Sequence, residues 1–319
     1  MLKKLFSLLF ATFAALFLPA CSVTPAPQSE TRTVTDDSGR TLSAPTHPKR
    51  IVSLTYGTDE ILTALVSIDR IASYSKYAGD DGISFLTKDE VAKVGQRVDM
   101  EPEHILSLAP DLVIASTSTP MQTVEVLTHS GIPVYVSAIP TTVEEMKEKV
   151  RGVAKAVHEE EKGEAMVSDM ESKLAALASK LSAVSPDKER VALGMSFRGI
   201  LGKKGTLFSD VLRLAHVKDG AAVYEVPKGA DAYLSLEILP KINPDVILLP
   251  TWRVKAGDDT KAFEEGLLLN PALREVRAVK ERRLVPFSEK YKYVMSQHVV
   301  DAVEAAARAV YPEVFVTSD

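Results

Sequence analysis

Along the chain, short runs of β-branched and apolar residues alternate with longer segments in which apolar side chains return every three or four positions. The strand-like runs are Arg50–Leu54, Arg70–Ser75, Asp111–Thr117, Val134–Ala138, Arg190–Phe197, Val246–Thr251 and Arg283–Phe287. Most are separated by enough residues for a helix, which predicts α/β layers with largely parallel sheets. Ahead of them, Thr33–Leu42 carries Asp36-Asp37-Ser38-Gly39 between alternating residues and predicts a small edge hairpin.

The middle of the chain has a different period. Between Glu159 and Ala183 there is no proline and one glycine, Gly163, while Val167, Met170, Leu174, Leu177 and Leu181 recur at spacings of three and four. That pattern predicts one long helix with a single apolar face, ended by Ser185-Pro186. Its position between two α/β halves makes it the candidate connector.

An internal repeat supports two equivalent halves. Glu103-His104-Ile105-Leu106-Ser107-Leu108-Ala109-Pro110-Asp111 and Glu237-Ile238-Leu239-Pro240-Lys241-Ile242-Asn243-Pro244-Asp245 keep Glu, Pro and Asp in phase, and each runs into an apolar strand. A Pro-Asp turn before a strand is common by itself. Keeping the Glu-to-Pro interval and the apolar phase as well favours a duplicated unit.

The amino terminus changes the picture of where the protein works. Lys3 and Lys4 precede the apolar stretch Leu5 to Leu18, which ends in Leu18-Pro19-Ala20-Cys21. The order basic, apolar, small is that of a secretory signal, and the stretch is short for a membrane span. The closing tetrapeptide resembles a bacterial lipobox, which implies cleavage before Cys21, lipidation of that cysteine and an anchor on the extracytoplasmic side of a membrane. Residues 22–32 are polar and proline-containing and read as a flexible tether. Cys21 is the single cysteine, so no internal disulfide is available and the core alone must hold the fold. Removing residues 1–20 leaves 36 basic against 43 acidic side chains, a net charge of −7, which gives no support to nucleic-acid binding.

Open α/β sheets bind ligands beyond the carboxyl ends of their strands. The side chains just past each predicted strand are Tyr56, then Tyr74 and Tyr77, then Arg198, then Trp252 and Arg253, then Tyr291 and Tyr293; Arg97 supplies further positive charge. Five of the nine tyrosines and the single tryptophan thus fall where a cleft belongs. Rings with polar tips suit a half-wet binding surface, and arginines suit anionic groups. The six histidines are scattered without short ligand spacing, so a bare-metal site has little support, although His298 stands near Tyr291 and Tyr293. Gly199 to Thr206 fits neither common phosphate-loop spacing, and no nucleophile elbow is present, which argues against an enzyme on the same scaffold.

From the hairpin TVTDDSGRTLSAPTHPKRIVSL, through IVSLTYGTDEILTAL and EPEHILSLAPDLVIA, to SLEILPKINPDVILLP and SQHVVDAVEAAARAVYP, the chain resembles the class III, helical-backbone periplasmic-type binding proteins of ABC importers. The resemblance implies two Rossmann-like lobes at 33–157 and 185–319, a connecting helix at 158–184 and a ligand cleft between the lobes. It implies a ferric siderophore, haem or cobalamin as ligand, with an iron complex favoured, and neither a catalytic residue, a cofactor nor a protein-held metal. It also implies a monomer that docks on a permease dimer and its ATPase through one surface glutamate per lobe. By position in the repeat these are Glu103 and Glu237. A surface enzyme and a structural lipoprotein are the readings from other classes.

Overall fold

A computed structural model of the chain describes residues 30–201, 205–224 and 233–316. The signal-like residues 1–20 and Cys21 lie outside the described residues. No helix among the described residues is long and apolar enough to cross a membrane.

The fold opens with a hairpin, β1 (Thr31–Thr35) antiparallel to β2 (Thr41–Pro45). It forms its own two-stranded sheet rather than extending a larger one. Its turn nevertheless docks on the first lobe, where the Asp37 amide donates to the Val136 carbonyl at 3.2 Å and the Asp37 carboxylate accepts from the Tyr135 hydroxyl at 2.6 Å.

The first lobe follows as β3 (Ile51–Ser53), α1 (Tyr56–Leu65), β4 (Ile71–Ser75), α2 (Lys88–Val94), β5 (Arg97–Val98), α3 (Pro102–Ser107), β6 (Leu112–Ser116), α4 (Met121–His129), β7 (Val134–Ser137) and α5 (Val143–Val157). Its five strands pair in parallel in the order β5-β4-β3-β6-β7. The chain order reverses between β3 and β6, so a crevice opens beyond their carboxyl ends. Then α6 (Glu160–Leu181) runs for 22 residues, roughly 33 Å at the helical rise. Val167, Met170, Leu177 and Leu181 are buried along one face, and Leu174 packs beside them, as the period predicts.

The second lobe contains β8 (Val191–Ser196), β9 (Gly199–Leu201), α7 (Leu207–Leu214), β10 (Lys218–Asp219), β11 (Tyr233–Leu234), α8 (Leu239–Ile242), β12 (Val246–Leu249), α9 (Thr260–Leu269), α10 (Arg277–Lys280), β13 (Leu284–Pro286), α11 (Glu289–Lys292) and α12 (Val299–Val310). Strands β10, β8, β12 and β13 are parallel, whereas β9 folds back antiparallel on β8 and carries β11 at its far edge. Two-residue strands such as β5, β10 and β11 are too short to show an alternation, so the sequence pattern misses them.

The repeat is realised in three dimensions. Ala109 and Asn243, one in each copy, both take left-handed backbone at φ 46° and 49°. In each lobe the following aspartate caps the first strand: Asp111 accepts from the amides of Lys49 (2.7 Å) and Arg50 (2.9 Å), and Asp245 from that of Val191 (2.8 Å). A single apolar core then joins the lobes, because Met170 and Leu181 of α6 and Val303, Ala307 and Val310 of α12 belong to the same buried cluster as Val153 of α5 and Val211 of α7.

Candidate functional site

Five of the strands, β3, β4, β6, β7 and β8, end on a buried serine, namely Ser53, Ser75, Ser116, Ser137 and Ser196. Beyond these ends, between the lobes, lies a cavity of about 540 Å³. Tyr56, Tyr77 and Ile83 of the first lobe face Phe197, Arg198, Tyr233, Trp252, Val254, Lys255, Asp258, Glu289 and Tyr293 of the second across it. A volume and mixed lining of this kind are those of a small-molecule site.

Each aromatic wall has a local cause. Thr55 caps α1 through its hydroxyl, which turns the chain sharply after β3 and leaves Tyr56 at the helix start. The Tyr56 hydroxyl donates to the Tyr293 carbonyl at 2.6 Å. Its ring meets that of Tyr77 edge-on at 6.5 Å, and Tyr77 in turn meets Trp252 at 6.3 Å. Burial above all, and then the neighbouring Glu60 carboxylate, push the Tyr56 phenol far above its ordinary range. Burial followed by the neighbouring Tyr233 phenol does the same to Tyr293. Both rings therefore present protonated phenols at neutral pH.

A buried ion pair sets the second lobe's side of the cavity. Glu289 Oε2 accepts from the Thr251 amide (2.9 Å), the Thr251 hydroxyl (2.9 Å) and the Trp252 amide (2.8 Å). Lys292 Nζ donates to Glu289 Oε1 at 3.2 Å, to the Met195 carbonyl at 2.8 Å and to the Leu249 carbonyl at 3.0 Å. One ammonium thus ties the ends of β8 and β12 to α11. Burial pulls the Lys292 pKa down to about 8, against the opposing pull of Glu289. Because its carboxylate is saturated by these donors, Glu289 shapes the wall rather than offering a free anion.

Cationic groups sit at the mouth. Arg198 occupies the exposed turn between β8 and β9, where its amide donates to Ser196 Oγ at 3.0 Å. Lys255 is exposed in the loop after β12, and Asp258 Oδ2 accepts from the amides of Val254 (3.0 Å) and Lys255 (2.8 Å), holding that loop in a turn.

The structure brings Tyr56, Tyr77, Arg198, Trp252 and Tyr293 of the strand-end expectation together in one cavity, and four other residues lie outside its lining. Tyr74 is 0% exposed, and its hydroxyl pairs with Thr63 Oγ1 at 2.7 Å, because the alternation of β4 turns it into the core beneath α1. Tyr291 packs its ring on Phe85 and Phe287 at 5.5 and 5.6 Å. Arg97 lies on edge strand β5 with Nη1 3.4 Å from the Ala78 carbonyl, and Arg253 turns outward to Asp259 at 3.4 Å. His298 also stays outside, stacked on Phe85 at 4.3 Å with Nδ1 2.6 Å from Asp301. Among the described residues no group of three or more His, Cys, Asp or Glu is placed to hold a metal ion.

Sequence reasoning missed Tyr233, Lys255, Asp258 and Glu289. Lys255 and Asp258 follow β12 closely, so a longer window past the strand would have included them. Glu289 with Lys292 is an acid and a base three positions apart beside two tyrosines, which is a legible signal. Tyr233 sits on a two-residue strand and leaves none.

Glu103 and Glu237 stand on the outer surface in equivalent places, each in the first turn of a short helix. Both are exposed, and neither carboxylate has a hydrogen bond or ion pair among the described residues.

Comparison with known proteins gives the same architecture. A family model described as "Periplasmic binding protein" matches residues 51–291. The Bacillus subtilis protein named "Uncharacterized ABC transporter substrate-binding lipoprotein YvrC" is 26% identical over 324 residues, spanning 95% of both chains. The "Probable siderophore-binding lipoprotein YfiY" of the same organism is 25% identical over 300 residues, 88% of this chain and 89% of its own. Among solved structures, the molybdate-bound periplasmic protein MolA of Haemophilus influenzae superposes with a TM-score of 0.72 at 20% identity, covering 90% of this chain and 94% of that one.

Proposed function

The chain belongs to the periplasmic binding protein family, and from that premise we propose that it is the lipid-anchored receptor of an ABC importer for an anionic iron chelate. The observation that carries the ligand class is the lining of the inter-lobe cavity, where the rings of Tyr56, Tyr77, Trp252 and Tyr293 form an aromatic wall and Arg198 and Lys255 bring cations to it. Such a surface offers positive charge to oxygen-rich anions and stacks on flat groups. The relative YfiY is named as a probable siderophore-binding lipoprotein.

A haem reading needs a side chain to complete the iron's coordination. The Tyr56 hydroxyl is committed to the Tyr293 carbonyl, and burial opposes ionisation of both phenols. A chelate whose metal is already satisfied needs no such ligand, and its outer oxygens suit the cations of Arg198 and Lys255. No bond of the ligand has to break in this mechanism, so the protein acts as a carrier rather than an enzyme.

Residues 33–157 and 185–319 act as the two lobes and 158–184 as the connector. A continuous helix and a core shared across the lobes limit closure to a small angle. Signal cleavage before Cys21 leaves a lipidated first residue and a tether that keeps a monomeric receptor near its permease. The loaded receptor docks through Glu103 and Glu237, one on each subunit of the permease dimer, and the ATPase then drives release.

The test is tryptophan fluorescence of the soluble domain titrated with ferric citrate, ferric hydroxamates, ferric catecholates, haemin, cobalamin and free divalent cations. Trp252, the single tryptophan, lines the cavity and reports occupancy. Saturable quenching by a ferric chelate alone is expected. Quenching by haemin with a shifted Soret band, or by a bare cation, overturns the ligand assignment.

A further inference from the structure

Trp252 is held from both sides of the cleft. Its amide is fixed within the second lobe by Glu289 at 2.8 Å. Its indole Nε1 crosses to the first lobe and lies 3.2 Å from each carboxylate oxygen of Asp80. The Asp80 carboxylate is already aimed, because its Oδ1 accepts from the Gly82 amide at 3.0 Å, and its carbonyl accepts from the amides of Ile83 (3.0 Å) and Ser84 (2.8 Å). The loop from Asp80 to Ser84 is therefore a rigid acceptor presented to the indole.

Gly82 supplies the space for it. A Cβ at this position would lie 2.0 Å from Trp252 Cδ1, 2.7 Å from Cγ and 2.9 Å from Nε1, all inside van der Waals contact. The backbone there carries no left-handed φ, so glycine is required for the approach of the ring and not for its own conformation.

We infer that Asp80 and Gly82 are positioning residues that bolt Trp252 across the cleft and so set the width of the cavity and the orientation of its aromatic wall. Neither residue lines the cavity; each acts through the indole. Tyr77, in edge-on contact with the indole at 6.3 Å, belongs to the same first-lobe loop, so the bolt also holds these two rings of opposite lobes together. Access to the cavity from this side therefore passes through release of one charge-assisted hydrogen bond. The affinity consequence rests on the reading of the cavity as the ligand site; the bolt itself does not.

The experiment compares Asp80→Ala, Asp80→Asn and Gly82→Ala with the parent protein. Asp80 is exposed, so loss of its carboxylate leaves the fold intact, which far-ultraviolet circular dichroism verifies. In ligand-free protein, Asp80→Ala and Gly82→Ala are expected to red-shift Trp252 emission and to raise acrylamide quenching severalfold. Asp80→Asn keeps an acceptor oxygen and is expected to stay near the parent. With ferric citrate or a ferric trihydroxamate as probe, affinity falls about tenfold in Asp80→Ala and Gly82→Ala, the scale of one hydrogen bond to a charged group. Unchanged emission and quenching in Asp80→Ala and Gly82→Ala overturn the bolt. If no probe binds the parent protein, the ligand-site reading falls, while the fluorescence of the ligand-free variants still decides the bolt.

Discussion

The Tyr56 hydroxyl donates to the Tyr293 carbonyl at 2.6 Å across 237 residues of sequence, which makes it a direct tie between the two lobes at the floor of the cavity. Next to it, Gly57 packs so closely on the second lobe that a Cβ would fall 2.3 Å from the Met295 carbonyl oxygen and 2.6 Å from Met295 Cβ. Tyr56→Phe is expected to cost about 1 kcal/mol of unfolding free energy, the usual net worth of such a bond. Gly57→Ala is expected to cost more, since backbone cannot yield as a side-chain tip can. Urea unfolding of both variants checks the order.

A second prediction concerns pH. Asp59 is fully buried and accepts from the Ser75 amide (3.1 and 3.2 Å) and hydroxyl (2.6 Å). Burial raises its pKa to about 7 against those hydrogen bonds, and the adjacent Glu60 adds to the rise. The folded state thus holds this proton more tightly than the unfolded chain, so the stabilisation is present in acid and is lost as pH rises through about 7. Glu60, also raised, has the same sign. Stability is expected to fall between about pH 5 and pH 8, and Asp59→Asn to flatten that slope, as denaturant midpoints at the two pH values will show.

The Glu289–Lys292 pair supports the site from below. Lys292→Met removes the donor from Glu289 Oε1 and from the carbonyls of Met195 and Leu249, and leaves the buried carboxylate without its cation. Removing one partner of such a pair is expected to cost about 3–5 kcal/mol. The same variant should blur Trp252 emission, because the Trp252 amide is fixed by Glu289.

Docking is tested by Glu103→Lys with Glu237→Lys. Uptake of the iron chelate by cells is expected to stop, while affinity stays within about twofold, as exposed substitutions away from the cavity seldom shift free energies by more than a few tenths of a kcal/mol. Lost affinity together with lost uptake would show that these glutamates serve the ligand instead.

Charge at the mouth gives a further check. Lys255→Glu is expected to weaken binding of an anionic chelate, and the gap from the parent should narrow in about 1 M salt, where screening acts within a few ångströms. A salt-independent effect would point to packing rather than charge.

Much of this molecule is legible in the one-dimensional pattern. The seven predicted strands, the hairpin turn at Asp36-Asp37, the long helix over Glu160–Leu181 and the duplicated Glu-to-Asp unit are all decided by neighbours within a few turns of chain, where periodicity carries the information. The strand-end argument reached Tyr56, Tyr77, Arg198, Trp252 and Tyr293 for the same reason, since connectivity alone puts those positions near the crevice.

Only the tertiary structure decided which way each side chain points once it is there. Tyr74 lies three positions before Tyr77, yet strand alternation sends it into the core while Tyr77 emerges at 39% exposure. Trp252 faces the cavity because of an acceptor 172 residues away, and the acceptor reaches it because Gly82 has no Cβ. Glu289 and Lys292 become a saturated buried pair only when β8 and β12 lie side by side. Local pattern fixes where the chain runs, because burial of an apolar face is a short-range requirement. The direction and chemistry of a site depend on contacts between distant segments, and no local period records them.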